Sequence, residues 1–165
     1  MRRKTENTFL IVGLALSLLV FVGVAVAQDK PADTMQAVIE KVKADKKLLV
    51  AENMQLTEAE AKAFWPVYEQ YQAELFLIRT RTAKLITDYA AAYDTMTNTT
   101  AKKLLDESIT IETLRLKLNR AYLAKFRTVL PDVKVARYYQ IENKINAALY
   151  YEFAAKIPLV KTEKH

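Results

Sequence analysis

Between Phe64 and Met96 the chain repeats one pattern. Phe64, Tyr68, Tyr71, Leu75, Ile78, Thr82, Leu85, Tyr89, Ala92 and Met96 follow one another at intervals of four and three residues, the spacing that keeps a seam on one side of an α-helix facing a partner helix. Leu56-Thr57-Glu58-Ala59-Glu60 stands just before it. Thr57 is placed as an N-cap and Glu60, three residues on, completes a capping box, so the pattern predicts a long helix over 58-94. Pro66 falls inside it and removes the hydrogen bond to the carbonyl of Lys62, which predicts a kink rather than a stop.

The remaining apolar positions divide into three more helices. Met35, Val38, Ile39 and Val42 recur at helical spacing, predicting a helix over 33-52 that weakens after Asp45. After the Thr/Asn cluster from Thr95 to Thr100, with Thr100 as cap, Leu104, Leu105, Ile109, Ile111, Leu114, Leu116, Leu118, Tyr122, Leu123 and Phe126 predict a helix over 100-129. Those residues spread round more than one face, so this helix is either central in a bundle or meets a second molecule. Leu130-Pro131-Asp132 ends it and opens a fourth helix over 132-156, carrying Tyr138, Ile141, Ile145 and Leu149 inward. Pro158 closes the pattern. The expected fold is all-α, four helices in elongated antiparallel hairpins. At about 1.5 Å per residue the second helix alone spans about 50 Å, longer than a compact chain of this size is wide. That leaves apolar surface for a partner, most simply a second copy, and predicts a homodimer; a closed monomeric bundle, with the helix folded back on itself at Pro66, is the competing reading.

The N-terminus is patterned differently. Arg2, Arg3 and Lys4 precede a run from Phe9 to Val24 that is almost wholly apolar, and Ala25-Val26-Ala27 precedes Gln28 in the small-x-small arrangement of a signal-peptidase site. This predicts a signal peptide over 1-27, cleavage between Ala27 and Gln28, a single helical domain over 28-165, a periplasmic destination and no stable membrane anchor after cleavage. An uncleaved signal anchor is the competing reading, because the apolar stretch approaches the lower limit of a spanning helix.

Composition then removes whole classes of chemistry. Of 165 residues only two are glycine and none is cysteine, against an average glycine usage of about 7%. Both glycines, Gly13 and Gly23, lie in the leader. Phosphate-cradling loops, dinucleotide fingerprints, thiol nucleophiles and cysteine metal sites are therefore excluded from the rest. The single histidine, His165, ends the chain, so histidine clusters and triads are excluded too. No carboxylates are spaced to force a pair together on a core face. No catalytic residue, metal ligand or cofactor site is expected.

Charge changes the picture more than composition does. The formal net charge is +6, and between Thr113 and Arg137 stand seven basic residues, Arg115, Lys117, Arg120, Lys125, Arg127, Lys134 and Arg137, against one acidic residue, Asp132. Lys117, Arg120 and Arg127 lie within about 80° on an ideal helix, with Leu116 and Leu123 beside them. This basic, partly apolar surface suits an acidic or unfolded protein client, phospholipid headgroups, or a receptor or sensor domain; an ordinary solvated helix face explains the same charges. No nucleic-acid motif accompanies them. The nine tyrosines include the adjacent pairs Tyr138-Tyr139 and Tyr150-Tyr151, each of which places one ring inward and one toward the rim. Trp65 reads as a packing anchor beside Pro66.

The order of leader, short first helix, Leu56-Thr57-x-x-Glu60 opening a long second helix, polar break, third helix and Leu130-Pro131-Asp132 opening a fourth resembles the Spy/CpxP family of periplasmic stress proteins. That family carries two Leu-Thr-x-x-Gln motifs at corresponding helix starts. Here Glu60 stands where Gln is usual, and at the second position only Leu130 matches, with Pro131 for Thr and Lys134 near the place of Gln. The resemblance implies an antiparallel dimer of hairpins whose basic, partly apolar side holds aggregation-prone clients without ATP, or restrains an envelope-stress sensor kinase. A small exported helical enzyme of chorismate-mutase-like type, binding an anionic substrate, is the alternative. It predicts that some of Arg79, Arg115, Arg120 and Gln140 converge in a closed pocket.

Overall fold

The computed structural model describes residues 31 to 162, with side chains throughout except at residues 31 to 40 and 42. The leader with its Ala27 to Gln28 junction, and His165, lie outside the described residues. The described chain is all-α, with four α-helices and no strand among its residues: α1 (Pro31–Met54), α2 (Glu58–Ala92), α3 (Asn98–Arg127) and α4 (Asp132–Lys156), with one 3-10 turn at Tyr93–Thr95. None of the described helices is long and apolar enough to cross a membrane. The chain divides into two compact units, which among the described residues are 57 to 135 with 158 to 162, and 31 to 56 with 136 to 157.

The first unit is built on the antiparallel pair of α2 and α3. Phe64 meets Phe126 with ring centroids 5.6 Å apart, Tyr71 meets Tyr122 at 5.3 Å, and further along Arg81 meets Glu107. As residue numbers rise on one helix they fall on the other. The first half of the four-three seam is buried, from Phe64 through Tyr68, Tyr71 and Leu75 to Ile78. It packs against Ile111, Leu118, Tyr122 and Phe126 of α3. Burial of large rings at this end removes the most apolar surface from water, while Thr82, Leu85 and Tyr89 beyond it are only half-buried. Buried phenol tips need partners. Tyr71 donates to Asn119 Oδ1 at 2.8 Å and Tyr122 to Glu74 Oε1 at 2.6 Å.

Local signals fix the helix ends. Glu60 N–H donates to the Thr57 hydroxyl and Thr57 N–H to the Glu60 carboxylate, closing the capping box. α2 then continues through Pro66 to Ala92 without interruption. At α3 the cap differs from the expectation. Thr97, not Thr100, is the N-cap, and its hydroxyl accepts from the Thr100 N–H at 3.1 Å. Thr97 has extended backbone, as a cap requires, whereas Thr100 already lies in the helix. Pro131 cannot donate, but its carbonyl accepts from Lys134 and Val135 and so opens α4.

In the second unit α1 and the later part of α4 also run antiparallel. Lys46 pairs with Glu142 and Arg137 Nε donates to the Asn53 carbonyl near the end of α1. Leu49, Val50 and Met54 of α1, and Tyr138, Ile141 and Ile145 of α4, are buried. α1 persists well past Asp45 because these apolar positions fall on one side of its last turns. Its exit is made by Gln55 at φ 51, a left-handed conformation that glycine ordinarily supplies.

Candidate binding face on the helical hairpin

The basic residues singled out by the sequence fall in both compact units. Arg115, Lys117, Arg120, Lys125, Arg127 and Lys134 belong to the hairpin unit, and Arg137 to the other. Several are committed to structural contacts. Lys134 pairs with Glu60, joining the start of α4 to the capping box of α2. That contact brings together the two helix starts that carry Leu56, Thr57, Glu60 and Leu130; Leu130 is buried and Leu56 half-buried. The hydrogen bond from Lys134, then the one from the Thr57 backbone, holds the Glu60 carboxyl below its ordinary value. Arg127 Nε donates to Asp132 Oδ1 at 2.9 Å, Arg115 lies 3.2 Å from Glu112, and the Lys125 ammonium sits 4.1 Å from the centre of the Tyr122 ring. Lys117 and Arg120 are exposed and make no ion pair among the described residues.

Beside them runs an apolar stripe. Leu105, Ile109 and Leu116 are 64%, 61% and 52% exposed, and Leu123 is half-buried. At about 100° per residue these four fall within about 40° of one another, about 120° round from the face that packs on α2. α3 is thus apolar on two sides, one buried against α2 and one in solvent. Arg120 and Arg127 flank the exposed stripe, and from Arg115 to Arg127 the helix carries five cations and no carboxylate.

Arg115 and Arg120 are about 140° apart on α3, Arg115 half-buried and Arg120 exposed, while Gln140 is exposed on α4. No group of three acidic, histidine or cysteine side chains is placed to hold a metal ion among the described residues. Tyr138 is buried and Tyr139 half-buried, with rings 5.7 Å apart, whereas Tyr150 and Tyr151 are both exposed. Trp65 is half-buried, edge-on to Phe64 at 5.1 Å and to Tyr68 at 5.2 Å. The sequence reading did not anticipate the buried Lys46 and Glu142 pair, nor Phe76, a large exposed ring on α2. The signal for Phe76 was available: it falls off the four-three seam.

No family model matches the chain, and no curated protein or solved structure matches it either.

Proposed function

We propose that the protein is a non-enzymatic binding protein, acting in the periplasm after export, that holds aggregation-prone polypeptides or modulates an envelope-stress sensor without ATP. The observation that carries this reading is the exposed stripe of Leu105, Ile109 and Leu116 beside Lys117 and Arg120. Large apolar side chains grouped on a solvent face, rimmed by charge, are characteristic of contact surfaces. The two elements suit successive steps, long-range attraction of an acidic client by the cations and shallow burial of its apolar groups on the stripe. The resemblance to the Spy/CpxP family and the leader pattern ending at Ala27 support the same compartment and role.

Light scattering of a chemically denatured client, diluted with and without the purified protein, tests this. Suppression of aggregation at equimolar protein is expected, reduced by higher salt because the attraction is screened. It is also expected to fall in a Lys117→Glu/Arg120→Glu variant of unchanged helicity. No suppression, or equal suppression by that variant at every salt concentration, contradicts the reading.

A further inference from the structure

We infer that the C-terminal segment from Pro158 to Lys161 is a releasable strap that caps α2 at the tip of the hairpin and sets how readily the distal half of the hairpin opens. The inference stands on the geometry of the hairpin unit and does not depend on the binding reading above.

The distal half is the weakly held end. Ile78 and Ile111 are the last buried side chains along the pair, and from residue 79 to residue 110 none is buried. Leu85, Ile86, Tyr89 and Leu104 are half-buried there. Arg81 and Glu107 join the two helices through an ion pair open to solvent, a class of contact that contributes little. Few buried apolar contacts and exposed ties describe a segment that opens locally while the ring-packed end, with Phe64 on Phe126 and Tyr71 on Tyr122, stays folded.

The end of α2 also lacks a stop signal of its own. No glycine follows it, Tyr93 after it keeps a right-handed helical backbone, and no basic residue stands in its last turn. The final carbonyls of a helix carry partial negative charge and favour a nearby cation, yet the local sequence supplies Asp88 and Asp94. The tail brings what is missing. Residues 158 to 162 group with the hairpin. Tyr89 donates to the Pro158 carbonyl at 2.7 Å. The Lys161 ammonium pairs with the Asp94 carboxylate and lies 4.7 Å from the centre of the Tyr93 ring, and the Tyr89 and Tyr93 rings are 6.0 Å apart. A chain end is ordinarily loose unless tied down; this one is tied to the last turn of α2 and to the 3-10 turn beyond it. The attachment is releasable because Leu159 is 90% exposed and Val160 is exposed too, so the strap buries little apolar surface and holds by polar contacts of modest strength. Release frees the end of α2 to unwind and bares Leu85, Tyr89 and Leu104, beside Leu105 on α3.

Hydrogen exchange of the full chain, read by mass spectrometry of its peptides, tests this with Tyr89→Phe/Lys161→Ala and with Lys161→Arg. In the double variant the amides of residues 86 to 104 should exchange about five- to tenfold faster than in the wild type, with those of residues 64 to 78 and 111 to 126 unchanged. Lys161→Arg keeps the cation and should exchange as the wild type does. Unchanged protection of residues 86 to 104 in the double variant overturns the inference. So does acceleration spread evenly over both halves of the hairpin, since the tail then supports the whole unit, and so does acceleration by Lys161→Arg equal to that of the double variant.

Discussion

Lys46 Nζ lies 2.9 Å from Glu142 Oε2, with both side chains almost wholly shielded from water and Tyr138 donating to the other carboxylate oxygen at 3.2 Å. Removing two charges from water is costly, and their attraction repays it only while both are present. Glu142→Leu should therefore cost about 3–5 kcal/mol of stability, as should Lys46→Met, while the double variant Lys46→Met/Glu142→Leu should be near neutral or stabilising. Urea unfolding of the single and double variants measures this as a large departure from additivity.

The capping box carries a pH dependence. Lys134 and the Thr57 backbone hold Glu60 below its ordinary carboxyl value, 4.5, so the ionised form is favoured by the fold. The resulting stability is present above pH 4.5 and is lost as pH falls below it toward the native value. Glu60→Gln keeps an acceptor for the Thr57 N–H but has no charge for Lys134. The urea midpoints of the two proteins should differ at pH 7 and converge as the pH drops below 4.5.

Tyr122 acts at the other end of the scale. Burial first, then its hydrogen bond to Glu74, pushes the phenol up to about 12. The fold favours the protonated phenol, so this contribution is complete below pH 10 and is lost as pH rises from 10 toward 12. Tyr122→Phe should remove that part of the alkaline loss. A 295 nm absorbance titration of the native protein, less that of the variant, should show one phenol ionising near pH 12.

Gln55 turns the chain after α1 with φ 51. A non-glycine residue in this region is strained by its Cβ. Gln55→Gly should stabilise the protein by roughly 1 kcal/mol, less the extra entropy that glycine gives the unfolded chain. Thermal unfolding should register a Tm raised by a few degrees; a lowered Tm contradicts the assignment of strain.

These positions show how much a linear reading reaches. The α2 and α3 pair is legible because its seam repeats every three to four residues and packs against the neighbouring segment, and the Thr57 and Glu60 box because both partners lie within one turn. Thr97 and Thr100 are chemically equivalent candidates for one cap, and only backbone direction separates them. Lys46 is beyond such a reading: lysine is ordinarily a surface residue, and its carboxylate is 96 residues away. At the candidate site the cations and Leu116 with Leu123 stand out in sequence, but Arg127 and Lys134 are committed to Asp132 and Glu60 by the α3 to α4 turn and the α2 cap.

If the Leu105 to Leu116 face is where the protein meets its client, position-specific photocrosslinking will capture the contact. A benzophenone amino acid is placed at Leu116 in one protein and at Lys103, exposed toward the opposite side of the hairpin, in another. Each is irradiated with a denatured client in low salt. Abundant client adducts are expected from position 116, few from position 103, and the position 116 adducts should be lost in high salt. Equal crosslinking from the two positions, or adducts from 103 alone, would contradict it.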